Sequence, residues 1–313
     1  MSRPRVAAIV LNFNGRDVTL QALASLEKMT YPSFDLIHVD NGSTDGSSAA
    51  VAEKHPRVIR LRVEHNTGAA NGMNAGLEYA CREKYDYLLV LNNDIEVDPG
   101  MLDELMRVAE TTERVGCVGP KAYYFWARDK IWSAGGIIRF KESVTRERGM
   151  LEDERGQYDQ DSEVDYINGC ALLTPRQVVE EVGAWDPLFH LAAEDADWCM
   201  RMKARGYRCM YAHRAKLWHM VSHTAGAYVP RRTFNTGRSA ALFVRRYANP
   251  WQWLTFSTFM AGAVVWAFFR ELPKGNQMAA VKKAQGVIAG LRTTMTEPPG
   301  IADTGADPAG RKE

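Results

Sequence analysis

The chain has 313 residues, 46% of them hydrophobic, and a formal net charge of +1 at pH 7, which indicates a globular protein with one large domain or two small ones. Five cysteines without a C-x-x-C pair suggest neither a disulfide framework nor a zinc ribbon, and a reducing compartment fits this count best. The short apolar run at the N-terminus leads into Asn12 without a small-residue cleavage site, so we interpret it as a first strand rather than a signal peptide.

From Arg5 to Leu91, apolar runs alternate with polar turns and helical stretches, the latter at 17–28, 46–54 and 69–83. Continuous β-branched runs that alternate with helices predict a parallel sheet covered on both faces. Ligands of such sheets bind beyond the carboxyl ends of the strands. The polar clusters at these ends are therefore the candidate site: NFNG, VDNGSTDGS, EHNTGAANGMNAG and LNNDIEVDPG.

Three of these clusters carry candidate ligand groups, and each has a structural alternative. Asp94 follows a hydrophobic strand and can bind Mg²⁺ or Mn²⁺ together with substrate phosphates, or it can form a turn. Asp40 and Asn41 can accept from a base or ribose, although VDNGSTDGS is also a good turn sequence. NTGAANGMNAG leads into a helix and suits an anion, or it packs that helix tightly on a strand.

Beyond about residue 113 the strands shorten, and the charged stretch 141–165 predicts a mobile connection. A buried strand (DYINGCALLTP), a short helix with Pro175 near its start and a second helix from EDADW follow. YRCMYAHRAKLWHM predicts a pair of strands, and the tail from about residue 295 predicts disorder.

The helix that begins at EDADW separates its acids by face. One face joins Asp195 to Trp198, Cys199 and Met202; the other joins Glu194 and Asp197 to Arg201 and Arg205. Desolvation on the apolar face would raise the pKa of Asp195 toward the range of a general base, while Asp197 can pair with Arg201. The alternative is that all three acids only complement the helix dipole.

Positive charge is concentrated in the last third of the chain. From Trp198 to Arg270 there are twelve Lys or Arg and no Asp or Glu, which favours contact with anions. This region also holds His213, His219 and His223, one of which can join Asp94 on a cation or serve only as a structural histidine.

Nineteen uncharged residues at 251–269 form an apolar segment. A helix of that length rises about 28 Å, close to a bilayer core of roughly 30 Å. Tryptophans at its ends favour a helix on the membrane surface, with a buried core or dimer helix and a true span as the alternatives.

In order and spacing, the motifs resemble those of the inverting glycosyltransferases of family 2, in particular the rhamnosyltransferase-like branch, from about Arg5 to Arg246. The motifs are VLNFNG, VDNGSTDGS, NTGAANGMNAGL, LNNDIEVDPGML, VDYINGCALLTPR, GAWDPLFHLAAEDADWCMRMKARGYR and LWHMVSHT. The resemblance implies an α/β protein with the GT-A (nucleotide-diphospho-sugar transferase) fold: a mainly parallel central sheet flanked by helices, with a helical C-terminal extension. The expected organisation is a catalytic domain at 1–225 (a nucleotide-binding half at about 1–112 and an acceptor half at about 113–225), a basic and apolar extension at 226–294 and a disordered tail at 295–313.

The resemblance also implies roles for individual residues. Asp195 matches the catalytic base, and Asp94 and His219 match ligands of a Mn²⁺ or Mg²⁺ ion. The implied donor-binding residues are Asn12, Asp40, Asn41, Asn66, Gly68, Asn74, Gly76, Asn92 and Asn93, and the implied acceptor-side residues are Gly169, Trp185 and Glu194. The sequence departs from the family pattern at three places: Asn92 replaces the first Asp of D-x-D, Asn41 stands where many relatives have Asp, and Ala69 and Ala70 stand where an aromatic-small pair is common.

The implied function is transfer of a sugar, with inversion, from a nucleotide sugar to a glycan hydroxyl in cell-surface polysaccharide biosynthesis. The resemblance favours dTDP-L-rhamnose as donor, with a UDP-hexose next, and a glycan or polyprenyl-diphosphate-linked acceptor. We expect peripheral contact of residues 231–270 with the inner face of the cytoplasmic membrane, and no nucleic acid partner. The alternatives are a sugar nucleotidyltransferase, for which NFNGRD is a poor signature, and a non-catalytic nucleotide-sugar-binding module, which would need no base.

Overall fold

The structure is a computed structural model that describes residues 3–221 and 228–301. His223 and the tail beyond residue 301 lie outside the described residues, so the predictions made for them stay predictions. Disorder from residue 295 onward is wrong for the described part of the tail, because Met295 and Ile301 pack on the core. The Pro299 carbonyl also accepts a hydrogen bond of 3.0 Å from the Ala184 N–H.

The first half alternates strands and helices as predicted. Its strands pair in parallel in the order β3, β2, β1, β4. Residues 6–10 of β1 and 88–91 of β4 are fully buried because helices cover both faces of the sheet. The elements are β1 (Val6–Asn12), α1 (Arg16–Leu26), β2 (Phe34–Asn41), α2 (Ser47–Lys54), β3 (Ile59–Val63), α3 (Ala69–Arg82) and β4 (Tyr87–Asn92).

The second half continues the same sheet. Its elements are β5 (Ile95–Val97), α4 (Met101–Thr111), β6 (Val115–Tyr124), β7 (Ala127–Ser133), β8 (Gly136–Ile138), β9 (Thr145–Glu147), β10 (Ser162–Glu163), β11 (Ala171–Pro175), α5 (Arg176–Val182), α6 (Glu194–Ala204) and β12 (Arg208–His219). β11 lies antiparallel between β4 and β6, and β12 pairs in parallel with β6. Six strands of the ten-stranded sheet therefore point the same way (β1, β2, β3, β4, β6 and β12), which confirms the predicted α/β class.

Two predictions for this half are wrong. Residues 208–219 form one strand with an irregularity between Ala212 and Lys216, rather than a pair of strands. The stretch 141–165 is an ordered part of the fold that contains β9 and β10. It is held to the sheet by the buried Lys121, whose ammonium donates to Glu154 at 2.8 Å and to Asp159 at 2.5 Å.

Three helices form the C-terminal extension: α7 (Pro230–Tyr247), α8 (Pro250–Glu271) and α9 (Met278–Arg292). Residues 241–244 of α7 are fully buried, and Leu242, Phe243 and Val244 lie in the same core as the second half of the sheet, so α7 is an integral part of the fold. α9 packs closely along α7 through glycine, since a Cβ at Gly286 would lie 2.0 Å from the Phe234 carbonyl oxygen.

Helix α8 is different because most of its apolar side chains face outward. Asn249 and Gln252 form a capping box that begins this helix. Trp251 is 77% exposed, Trp266 62% and Phe269 65%. The structure therefore contradicts the buried-core alternative for 251–269 within the described chain, and by length and apolar content alone this helix could cross a membrane.

Candidate active site

The carboxyl ends of β1, β2 and β4 open into a cavity of about 900 Å³. Its wall includes six residues that the sequence analysis assigned to donor or metal binding: Asn41, Asn66, Gly68, Asn92, Asn93 and Asp94. Trp126, His190 and Met220 from the second half also line it, as do Arg231 and Arg232 from the start of α7. The polar strand ends and the extension thus share one site.

Asn12 supports the cavity from behind. Its side chain is fully buried, and its amide donates to Ser47 Oγ at 2.9 Å. Its carbonyl oxygen accepts from the Gly15 N–H at 3.1 Å and from Asn93 Nδ2 at 3.0 Å. Asn12 therefore fixes the turn after β1 and the orientation of Asn93.

Asp40 and Asn41 hold the backbone around the cavity. Asp40 is fully buried, and its carboxylate accepts from the Ser43 N–H at 2.8 Å. Asn41 Nδ2 donates to the Gly68 carbonyl at 3.1 Å. Gly42 has φ +77°, and a Cβ there would lie 2.7 Å from the Asn66 nitrogen, so this turn requires glycine. Of Asp40 and Asn41, only Asn41 lines the cavity among the described residues.

The structure corrects two predicted donor-binding residues on α3. Asn74 is fully buried, and its side chain bonds both the N–H and the C=O of Trp185, at 2.9 and 2.8 Å. A Cβ at Gly76 would lie 2.4 Å from Ile9 Cγ2. Both residues therefore pack α3 against the rest of the fold, which is the alternative that the glycine-rich sequence left open.

Asp94 and His219 meet at the end of the sheet. Antiparallel pairing of β5 with β12 sets His219 opposite Ile95, and His219 Nε2 lies 3.0 Å from Asp94 Oδ1. The ring of Trp132 packs edge-on against His219 at 4.4 Å between centroids. A carboxylate oxygen and an imidazole nitrogen are ligand types that divalent cations accept, so this pair fits a metal site.

Glu194 and Asp195 begin α6, three and four residues after Leu191, and neither acid is among the described residues that line the cavity. The Asp195 carboxylate accepts from the Gly169 N–H at 2.9 Å and from the Ala196 N–H at 2.7 Å. Burial raises the pKa of Asp195 to about 6, against the lowering effect of the Gly169 hydrogen bond. Burial and the charge of Asp195 raise the pKa of Glu194 to about 8. At neutral pH the pair therefore holds one negative charge, mainly on Asp195.

The predicted division of α6 into two faces is only half right. Trp198, Cys199 and Met202 are buried as predicted. Glu194, however, makes no ion pair with Arg201 or Arg205, and its Oε2 is buried without a hydrogen-bond partner among the described residues.

Asp197 pairs with Arg201 at 2.9 Å, as the i,i+4 spacing predicted, but it is fully buried. The reason is α7, which covers it. Arg246 donates to Asp197 at 2.6 Å and contacts Asp186 at 2.7 Å, and the Tyr247 hydroxyl donates to Asp197 at 2.7 Å. Sequence analysis missed Arg246, although the acid-free basic region contains it.

A short segment at 168–170 lies between the cavity wall at Asn92 and the Asp195 carboxylate at the start of α6. The Asn92 N–H donates to the Cys170 carbonyl at 3.1 Å, and Asn168 donates to the buried Glu147 at 3.1 Å. Trp185 packs behind it, since a Cβ at Gly169 would lie 2.8 Å from the Trp185 ring. Burial raises the pKa of the Cys170 thiol, and the carboxylates of Glu147, Asp94 and Asp195 raise it further. Asp94 and Asp195 therefore act on the same segment, and Glu147 is a third nearby carboxylate that sequence analysis missed.

Comparison of the sequence with known proteins identifies relatives of this chain. The profile of Glycosyl transferase family 2 matches residues 7–183. An N-acetylglucosaminyl-diphospho-decaprenol L-rhamnosyltransferase of Mycobacterium tuberculosis is 27% identical over 228 residues, 65% of this chain and 72% of the relative. The O-antigen biosynthesis protein RfbC of Myxococcus xanthus is 28% identical over 231 residues, 70% of this chain and 17% of that protein.

Solved structures share the fold at low sequence identity. The mannosyltransferase PcManGT from Pyrobaculum calidifontis, in complex with GDP-Man and Mn²⁺, superposes with a TM-score of 0.58 at 17% identity, over 92% of this chain and 88% of that one. GalNAc-T7 with UDP, GalNAc and Mn²⁺ gives a TM-score of 0.60 at 13% identity, over 76% of this chain and 48% of that one.

Proposed function

The chain belongs to glycosyl transferase family 2 and has the GT-A fold, and from this premise we propose that it transfers a sugar from a nucleotide sugar to a hydroxyl with inversion. The observation that carries the proposal is a carboxylate of raised pKa, Asp195, that acts together with Asp94 on the segment 168–170, which is hydrogen-bonded to Asn92 of the cavity wall. Family membership favours transfer over the nucleotidyltransferase and binding-module alternatives.

Asp195 is the proposed general base. It accepts the proton of the acceptor hydroxyl as that oxygen bonds to the anomeric carbon of the donor. The bond from this carbon to the donor's phosphate oxygen breaks, and its electron pair leaves on the nucleoside diphosphate. Attack from the face opposite the leaving group inverts the anomeric carbon. The Gly169 and Ala196 N–H groups hold the carboxylate in a fixed orientation for this step.

The cavity residues have proposed roles in donor and acceptor binding. Asn41, Asn66, Gly68, Asn92 and Asn93 would contact the donor, directly or through the backbone that they hold. Gly169, Trp185 and Glu194 would shape the acceptor side, where Asp195 must meet the hydroxyl.

Asp94 and His219 would hold a Mn²⁺ or Mg²⁺ ion, which when bound neutralises charge on the departing diphosphate. Their 3.0 Å contact and position at the cavity support this assignment. The Mn²⁺ in two structures of the same fold is a further reason to expect a divalent metal.

The donor that we favour is dTDP-L-rhamnose, with a UDP-hexose next, because a relative is an L-rhamnosyltransferase. The name of that relative specifies a diphospho-decaprenol acceptor, which supports a polyprenyl-diphosphate-linked glycan as acceptor here. The O-antigen relative supports a place in cell-surface polysaccharide biosynthesis.

We place the protein at the inner face of the cytoplasmic membrane, with residues 231–270 in peripheral contact. The exposed apolar side chains of α8 support this proposal, because large aromatic groups in water are unfavourable and suit a membrane interface. In the same scheme, residues 1–225 are the catalytic domain and 226–294 the extension, of which α7 completes the cavity and α8 contacts the lipid.

A nucleotide-sugar screen tests the function. The melting temperature is measured with dTDP-L-rhamnose and UDP-hexoses, with and without Mn²⁺, because a ligand that binds only the native state stabilises it. We expect one donor to raise the melting temperature in a Mn²⁺-dependent way, and Asp94→Asn to lose the Mn²⁺-dependent part. If no nucleotide sugar changes the melting temperature of the wild type, the proposed function is wrong.

Flotation with anionic liposomes tests the membrane proposal. Replacing Trp251, Trp266 and Phe269 with Ser should abolish flotation. Leu151→Ser, which removes an exposed apolar side chain elsewhere, should leave it unchanged. Equal flotation of the triple variant and the wild type would contradict the proposal.

A further inference from the structure

Helix α7 contributes two arginines to the cavity that holds the proposed metal ligands. Arg231 and Arg232 lie in its first turn and line the cavity together with Asn41 and Asp94. From the sequence alone, this part of the chain was predicted to contact anions and a membrane surface, without a position relative to the site. The fold instead brings its first two arginines to the strand ends, where the donor is proposed to bind.

The charge of Arg232 is not compensated within the described chain. Its Nη1 is buried without a hydrogen-bond partner among the described residues. Burial lowers the pKa of Arg232, and no carboxylate of residues 3–221 or 228–301 opposes this effect. Other arginines of α7 are satisfied: Arg246 by Asp197 and Asp186, and Arg238 by the Leu188 carbonyl at 2.7 Å. A guanidinium nitrogen withdrawn from water without a partner costs free energy, which an anionic ligand would recover.

We propose that Arg231 and Arg232 bind the diphosphate of the nucleotide donor, and that Arg232 stabilises the charge that accumulates on it as the sugar leaves. This inference rests on the proposed function. A planar guanidinium with several donors matches phosphate oxygens in pairs, which an ammonium cannot do. The positive end of the α7 dipole adds to the effect of the two side chains.

The charges of the cavity agree with this assignment. Asp94 is the one carboxylate in the described cavity wall, so the wall and a divalent cation would together carry about +1 without the arginines. The diphosphate of a nucleotide sugar carries about −2, and the leaving nucleoside diphosphate about −3, since the broken bond leaves its electron pair on oxygen. Two arginines raise the charge of the site to about +3, which matches the leaving group rather than the bound donor.

A polyprenyl-linked acceptor also contains a diphosphate, so the same chemistry has two possible sources. We assign the arginines to the donor because they share one cavity with Asn41 and Asn66 from the nucleotide-binding half. The experiment must therefore separate the two diphosphates.

Titration calorimetry of the full chain provides that separation. The probes are dTDP and UDP for the donor, farnesyl diphosphate for the acceptor and thymidine and uridine as phosphate-free controls, in Mn²⁺ and again in EDTA. Arg232→Gln should weaken binding of the better nucleoside diphosphate about tenfold in both buffers, with nucleoside and farnesyl diphosphate affinities unchanged. Arg232→Lys should lose about half of that effect on the logarithmic scale. Arg214→Gln removes an exposed arginine of the same basic region and should bind like the wild type.

Stability distinguishes ligand binding from a structural role. Since Arg232 Nη1 is buried without a described partner, Arg232→Gln should melt at the same temperature as the wild type or higher, whereas loss of a structural arginine would lower it. Three results would overturn the assignment: unchanged nucleoside diphosphate affinity, a loss confined to farnesyl diphosphate, or an equal loss for the nucleosides. If the wild type itself binds no nucleoside diphosphate, the proposed function fails, and this inference fails with it.

Discussion

Asp195→Asn should abolish turnover. The same substitution should also remove the loss of folding stability that accompanies ionisation of the Asp195 carboxyl as pH rises. The folded state raises the pKa of Asp195 from 3.8 to about 6 by burial. A raised folded-state pKa means that the contribution of this group to stability is fully present below pH 3.8 and is lost as pH rises through about 6. Each pKa unit corresponds to about 1.4 kcal/mol, so ionisation costs about 3 kcal/mol, reduced to about 2 because the carboxylate is partly exposed.

The assay is urea unfolding of wild type and Asp195→Asn between pH 4 and pH 6.5. Asparagine does not ionise, so the free energy of unfolding of the wild type relative to the variant should fall by about 2 kcal/mol across this range. The hydrogen bond that asparagine cannot make to Gly169 or Ala196 changes the difference by a constant and leaves its slope intact. Asp129→Asn, at an exposed position, corrects for the removal of one negative charge.

A flat difference, within about 0.5 kcal/mol over this pH range, would refute the reasoning. It would mean that the site does not penalise the Asp195 carboxylate, and the raised pKa would no longer support its role as base. The activity profile of the wild type provides a second check, since kcat should rise with pH through about 6 as Asp195 loses its proton.

Three further substitutions test separate parts of the fold and site. Arg246→Ala leaves the buried carboxylates of Asp197 and Asp186 without this partner, so urea unfolding should show a loss of about 3–5 kcal/mol. Gly76→Ala should lose about 1–3 kcal/mol through overpacking while nucleotide affinity in calorimetry stays unchanged; a selective loss of affinity would restore its predicted donor role. Glu147→Gln should shift the acidic limb of the kcat profile to lower pH, because a negative charge that opposes ionisation of Asp195 is removed; an unchanged limb would exclude this coupling.

The nucleotide-binding half could be predicted from the sequence because its signals are local. Continuous apolar runs require a strand buried on both faces, and the polar residues at their ends must lie along one edge of a parallel sheet. Asn41, Asn93 and Asp94 reach the cavity for this reason. The pairing of Asp197 with Arg201 was likewise predictable from helical spacing alone.

What could not be predicted depends on distant contacts. Arg246 meets Asp197 across 49 residues of chain, and no local pattern distinguishes it from the other arginines of the basic region. A glycine-rich sequence does not reveal whether a ligand or a strand packs against the glycines. At Gly76 the neighbour is Ile9 of strand β1. The charged stretch 141–165 is ordered through Lys121, a single buried cation on another strand. Arg232 was visible as a basic residue, but its place in the cavity depends on where α7 docks.

The most direct test of inverting transfer by Asp195 is the anomeric configuration of the product, followed by proton NMR in parallel with release of the nucleoside diphosphate. With the donor identified by the melting-temperature screen and a polyprenyl-diphosphate-linked acceptor, the wild type should give a product of inverted configuration. Asp195→Asn should bind the donor with wild-type affinity and release no nucleoside diphosphate. Retention of configuration, or release by Asp195→Asn at the wild-type rate, would contradict the mechanism.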